Sequence, residues 1–429
     1  MAEIKAFKGL RYTEKAGDIK DLCCPPYDIV GEEQRERLIE KNPYNLIRLE
    51  LPVMGGSENP QPYAAASQTL RTWIRDGILR RDEDECIYVY EMDFSVSNES
   101  HKVKGFVSSV RLEPFSKGVI LPHEETLSKA KTDRFNLMKA TGCNFSQIYS
   151  LYADEDNSVF SLIDSVSQGA ADSVFTDEGG VTHRLWRISD SRVINAVCSK
   201  MADKKLYIAD GHHRYETALN YQRYVQDNLD ETGSSDYVTM TLVNMENPGL
   251  TVFPTHRILR NLTHFDYNSV CDKCREHFEV TPYLNREKGE NGLREAYENG
   301  EKAFVMFTGD NNYTLLKLKG TEVPDGVMPG ECMALRRLDV SVLHTLVLEK
   351  IFGIDKENMA KQINLTYTRS SDEAISAVDK KQANCCFLLN PTRVSEIRDV
   401  AAAGGKMPQK STYFYPKLTT GLVMNKIFD

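Results

Sequence analysis

The run Tyr207-Ile208-Ala209-Asp210-Gly211-His212-His213-Arg214-Tyr215-Glu216-Thr217-Ala218-Leu219 gathers an aspartate, a glycine, two histidines and an arginine between an apolar stretch and an amphipathic one. That pattern predicts a strand, a tight turn and a helix. The start of such a helix suits an anion, because its first N–H groups have no intrahelical acceptor and its dipole favours negative charge. Gly211 permits the turn and a close backbone approach. Arg214 offers a planar fork to a phosphate, and His212 and His213 can donate or shuttle a proton. Asp210 has the side chain of an N-cap. A capped helix bearing two surface histidines would use the same residue types; crowding the histidine pair and the arginine into one turn favours the phosphate reading.

Leu121-Pro122-His123-Glu124-Glu125-Thr126, followed by Lys129, Lys131, Asp133 and Arg134, brings two carboxylates, a histidine and three cations into one polar stretch. Beside a bound phosphate, a carboxylate here could take the proton of a substrate hydroxyl, and the cations could neutralise a phosphoryl group in flight. On its own the stretch reads equally as a solvated, charge-mixed loop. Further phosphate contacts could come from His256 and Arg257 in Phe253-Pro254-Thr255-His256-Arg257, and from Lys410 in the basic, aromatic tail Lys410-Ser411-Thr412-Tyr413, which continues to Lys417. Cys271, Cys274 and His277 have ligand-like spacing but no second pair, so a buried structural role is expected and no metal site is assigned. Walker, dinucleotide-binding, nucleophile-elbow and zinc-protease motifs are absent.

These residues need elements to position them. Helical spacing is read at Glu32 to Lys41, at Tyr63, Ala66, Leu70, Trp73 and Ile74 with Gly77 as the stop, and at Ala218, Tyr221 and Val225. A helix capped by Thr132 and closed by Gly142 is expected, as is an apolar helix over Val340 to Ile351. Strands are expected at Leu46 to Leu51, at Ile87 to Phe94 and Lys102 to Leu112 around a Ser97 to Ser100 turn, and at Gln147 to Tyr152, Leu206 to Ala209, Tyr237 to Val243, Ala303 to Phe307 and Tyr313 to Leu318. Asp154 to Thr182 reads as less regular. The alternation predicts an α+β chain in three segments: 1–102, 103–243 and 244–429.

The bulk properties bound the partners. With 53 basic against 62 acidic residues the net charge is -9, which makes the chain a poor candidate for sequence-independent nucleic-acid binding. No apolar run reaches membrane-spanning length and the first residues lack a signal-peptide core, so a cytoplasmic protein with reduced cysteines and no membrane partner is expected. Oligomeric state is not fixed by these properties.

Nearly the whole chain resembles a bacterial and archaeal family catalogued as a domain of unknown function, number ten-fifteen. The resemblance lies in Pro25-Pro26-Tyr27-Asp28, Leu121 to Thr126, Lys131-Thr132-Asp133-Arg134, Ala209 to Ala218, Pro254 to Arg257 and Met407 to Phe414. The pair Pro122-His123-Glu124-Glu125 and Asp210-Gly211-His212-His213-Arg214 is also similar to the free serine kinases, built on the partition-protein B and sulfiredoxin fold. That resemblance implies a central mixed-sheet module over 103–243 with additional α/β segments at both ends. It implies phosphate binding by Asp210, Gly211, His212, His213 and Arg214, with Glu124, or else Glu125, as base beside His123. It implies ATP, ADP or pyrophosphate with Mg²⁺, and a small hydroxyl substrate such as serine, in either direction of phosphoryl transfer. A nucleotide-binding regulatory module of partition-protein type and a phosphohydrolase are the alternatives. The two motifs stand further apart here than in the small kinases.

Overall fold

The computed structural model describes residues 1–126, 128–228 and 233–428, with the backbone alone at 128 and 129. The chain divides into two compact units, one of 1–122, 126–251 and 416–429, the other of 123–125 and 252–415.

The first unit is built on a nine-stranded mixed sheet. Its order runs Ile120–Leu121, Leu206–Asp210, Ile148–Tyr152, Tyr237–Asn244, Glu99–Arg111, Ile87–Val96, Thr182–Ile188, Ser173–Thr176, with Ile4–Lys5 also paired to Glu99–Arg111. Leu206–Asp210 lies parallel to Ile120–Leu121, and Tyr237–Asn244 parallel to Ile148–Tyr152; the other pairings are antiparallel. The long central hairpin closes through Ser97 and Asn98 alone, at φ 51° and 68°. Two left-handed residues match the twist of flanking strands, so the turn is two residues shorter than its polar sequence suggests. Helix His212–Asn228 packs Tyr215, Ala218, Tyr221 and Val225 against the sheet beside Ile148, Ile208 and Met240. A second core gathers Leu22, Leu46, Tyr63, Leu70 and Trp73 around helix Gln61–Arg75.

Several expectations are corrected. A boundary at 102/103 would cut strand Glu99–Arg111, which pairs with Ile87–Val96 on one side and Tyr237–Asn244 on the other. The first two expected segments therefore share one sheet, because pairings distant in sequence cross the proposed border. Leu46 to Leu51 forms helix Ile47–Glu50. Asn45 there accepts from the Ile47 N–H at 3.0 Å and donates to the Asp21 carbonyl at 2.8 Å, turning the chain, while burial of Leu46, Ile47 and Leu49 hides any helical period. Thr132 lies within helix Ser128–Thr141 rather than at its cap, although Gly142 does end it, at φ 58°. Asp154 to Thr182 contributes helix Ser158–Val166 and edge strand Ser173–Thr176.

The second unit holds a six-stranded antiparallel sheet in the order Phe278–Tyr283, Tyr313–Leu318, Ala303–Phe307, Cys385–Leu389, His256–Leu259, Leu365–Thr368. The apolar stretch at Val340 begins as α-helix Asp339–Leu343 and continues as π-helix His344–Glu349. Among the described residues no helix is long and apolar enough to cross a membrane.

Candidate functional site

Strand Leu206–Asp210 carries a register shift between Ile208 and Asp210 against its neighbour Ile148–Tyr152. The chain then turns at Gly211, φ 93°, into helix His212–Asn228. The φ calls for glycine, and a Cβ there would stand 2.9 Å from the Arg214 Nε and displace the guanidinium. The helix start is fixed from below by Tyr215, whose buried hydroxyl donates to the Glu113 carbonyl at 2.8 Å and accepts from the Glu113 N–H at 2.9 Å.

Asp210 does not use its carboxylate as the expected cap. One oxygen accepts from Lys417 at 2.8 Å and the other from Arg214 at 2.8 Å. Burial alone would push this carboxyl towards its neutral form, but Lys417 and Arg214 outweigh that and hold it well below the usual range. Arg214 also donates to the Gln147 carbonyl. It is thus braced on two sides rather than hanging freely over the turn. His212 is buried and His213 half-buried. Lys417 enters from the C-terminal tail, 207 positions away in sequence. Only its membership of a basic, aromatic tail could have pointed to it.

Behind this turn, Lys131 and Thr126 both donate to the same oxygen of Glu216, at 2.7 and 2.8 Å. A glutamate inside a helix carries no signal of its own, so the sequence does not single out Glu216. Arg134 is 5 % exposed and is held within the fold: it donates to Asp133 at 2.8 Å and to the Glu50 carbonyl at 2.7 Å, and stacks over the Tyr27 ring. Its sequence position beside Lys131 suggested a phosphate contact; its place is a buried network. A cavity of about 40 Å³ between Glu50, Arg134, Ser146 and Arg214 has room for little more than one water.

His123, Glu124 and Glu125 belong to the second unit, and so to a different unit from the Gly211 turn. The loop pairs with the C-terminal tail: the Met407 N–H donates to the His123 carbonyl at 2.7 Å, and Glu124 forms a parallel bridge with Met407. The Thr412 hydroxyl lies 3.1 Å from His123 Nε2 and 3.4 Å from a Glu124 oxygen. Two motifs read separately in the sequence are therefore one structure here. Phe253 to Arg257, whose sequence left a turn open, leads into central strand His256–Leu259. His256 Nδ1 accepts from the Leu389 N–H at 3.1 Å, and burial lowers this imidazole's pKa to about 4, keeping it neutral. Arg257 is fully buried, and the exposed Lys410 lends it a backbone carbonyl at 3.3 Å. Cys271 and Cys274 are buried on helix Tyr267–Cys274, and burial pushes both thiols up. Among the described residues no group of three or more His, Cys, Asp or Glu is placed to hold a metal ion. The Lys129 side chain lies outside the described residues.

A protein named dihydroorotase from Marinobacter nauticus is 23% identical over 221 residues, which cover 45% of this chain and 62% of that protein. Among solved structures, a conserved hypothetical protein from Pyrococcus furiosus matches with TM-score 0.34 and 14% identity over 71% of this chain and 93% of that one. A free serine kinase in complex with AMP matches with TM-score 0.36 and 14% identity over 71% and 89%. SbnI from Staphylococcus aureus, truncated at its C-terminus, matches with TM-score 0.35 and 10% identity over 75% and 87%. The match that reaches family level is to the model described as a protein of unknown function, DUF1015, which spans residues 4–341, and the chain belongs to that family.

Proposed function

We propose that this chain is a phosphotransferase that moves a phosphoryl group between a nucleotide or pyrophosphate and a small hydroxyl metabolite of the free serine type. The observation that carries the reading is the Gly211 turn. A glycine held at φ 93° opens a helix whose first turn contains two histidines and an arginine, at the end of a sheet strand. Such a start presents N–H groups and a positive dipole end to a phosphate. Asp210, itself held by Lys417, and the Gln147 carbonyl hold Arg214 in place, which lowers the entropy cost of engaging a ligand. The mixed sheet of the first unit would be of the partition-protein and sulfiredoxin type, and Glu124 would be the base, as the motif pair implies.

A magnesium ion fits this donor set only as a guest of the phosphates. The carboxylate at the turn is already committed to Lys417 and Arg214, so the ion's oxygens would come from phosphate and water. Bound there, it would neutralise charge on the transferring group.

The test is thermal stabilisation by ATP, ADP and pyrophosphate, each with Mg²⁺, in the wild type and in His213→Ala and Arg214→Ala. A ligand at 100 times its dissociation constant should stabilise the native state by about 2.7 kcal/mol. The expected result is a shift with at least one phosphate ligand that shrinks in both variants. No shift with any of them would remove the reading. Where a shift is found, transfer from ATP to serine that is lost in Glu124→Gln would support the kinase, and phosphate release without an acceptor would replace it by hydrolysis.

A further inference from the structure

A cavity of about 190 Å³ lies in the second unit. That is below the roughly 300–1,000 Å³ of pockets for drug-sized ligands and is suited to something smaller. Its floor includes Ser341 and His344, both buried, and half-buried Tyr367 lines it. Ser341 and His344 lie where the helix passes from α to π geometry, a local irregularity common at functional sites.

Two groups here are left uncompensated, one lacking a hydrogen bond and the other a counter-charge. The Ser341 hydroxyl is buried without a hydrogen-bond partner among the described residues. Arg257, 0% exposed, has no carboxylate partner among the described residues. Its guanidinium meets the Thr255 and Lys410 carbonyls, the Tyr367 ring, and His344 Nε2 at 3.3 Å. A buried cation with no counter-charge is costly, and burial indeed lowers its pKa to about 10. Because Arg257 can only donate, His344 Nε2 must offer its lone pair, and the neutral ring carries its proton on Nδ1. Ser341 and His344 line the cavity, so the Ser341 O–H and the His344 Nδ1–H are its donors for an anion, with the Arg257 charge behind His344. The exposed rim is of the other kind, with three glutamates (Glu125, Glu331 and Glu349) against two lysines, Lys356 and Lys406. A phosphate dianion would meet those carboxylates unfavourably, whereas a ligand ammonium would not.

We propose that this cavity binds a small zwitterion of the amino-acid class, its carboxylate on His344 and Ser341 with Arg257 behind them as counter-charge, and its ammonium towards the glutamate rim. The site belongs to the second unit and does not depend on phosphoryl transfer at Gly211.

The test is isothermal titration of the full-length protein, without nucleotide, against the proteinogenic amino acids, with propionate, ethanolamine and inorganic phosphate as partial probes. At least one amino acid should bind, and the two half-molecules should bind at least about tenfold more weakly. Ser341→Ala should weaken that binding about tenfold while leaving the ligand-free melting temperature unchanged or higher, since it deletes an unsatisfied hydroxyl. Arg257→Met should weaken it about 100-fold; if that variant does not fold, Ser341→Ala decides. Absence of binding by every amino acid, binding of phosphate alone, or affinity unchanged in Ser341→Ala would each overturn the proposal. Failure here leaves the nucleotide shift at Gly211 untouched, and failure of that shift leaves this titration to be read on its own.

Discussion

Gly211 is where one added methyl group would do most damage. An L-residue at φ 93° is strained, and its Cβ would press on the Arg214 guanidinium. Gly211→Ala should therefore cost at least about 1–2 kcal/mol, measured by denaturant unfolding, and should reduce the shift produced by phosphate ligands. The neighbouring Asp210 tests a different idea. Its two oxygens balance Lys417 and Arg214, whose side chains are only 13% and 11% exposed. Asp210→Asn leaves both cations short of a counter-charge and should cost about 1–3 kcal/mol. If unfolding free energy is unchanged, Asp210 is not the brace described here.

At the scale of elements, buried titratable groups in the second unit should make its stability depend on pH in two opposing ways. His256, on a central strand, has a native pKa of about 4 against an ordinary 6.5. The unfolded chain binds the proton more readily, so stability falls as pH drops from 6.5 towards 4. His256→Asn keeps an acceptor for the Leu389 N–H and should flatten that acid limb in melting curves. Asp339, in the first turn of its helix, behaves in the opposite sense. Burial raises its pKa to about 7 despite the nearby Lys302, and Glu396 adds to the rise. Here the native state holds the proton more tightly, so the contribution present below the ordinary carboxylate range is lost as pH rises towards 7. Asp339→Asn should melt about 2–4 °C higher than wild type at pH 8 and no higher at pH 4. Equal displacement at both pH values would show that the carboxyl does not titrate as described.

Across the whole molecule the ten cysteines give a simple readout of packing. All are free; eight are buried, and only Cys198 and Cys332 are partly accessible. Burial raises the thiol pKa of Cys23, Cys24, Cys143 and Cys385, which suppresses the reactive thiolate. A colorimetric thiol reagent should titrate about two groups quickly in the native protein and all ten in denaturant. Rapid reaction of most thiols in the native state would contradict this packing.

What the sequence determined by itself is local. The Gly211 strand–turn–helix was legible because a glycine turn, an apolar run and a helical stripe each leave a mark within a few residues. The same holds for Ala303–Phe307, Tyr313–Leu318 and the face of Tyr63, Ala66, Leu70 and Trp73. Helix Ile47–Glu50 was hidden because a single turn with three of its four residues buried shows no helical period. Tertiary structure decided which distant groups meet. It brought Lys417 to Asp210 and Thr412 to Glu124, turned Arg134 inward onto Asp133 and Glu50, and left Arg257 buried without a carboxylate among the described residues. Residue type and spacing encode backbone geometry, whereas the balance of a buried charge depends on partners that only the folded chain supplies.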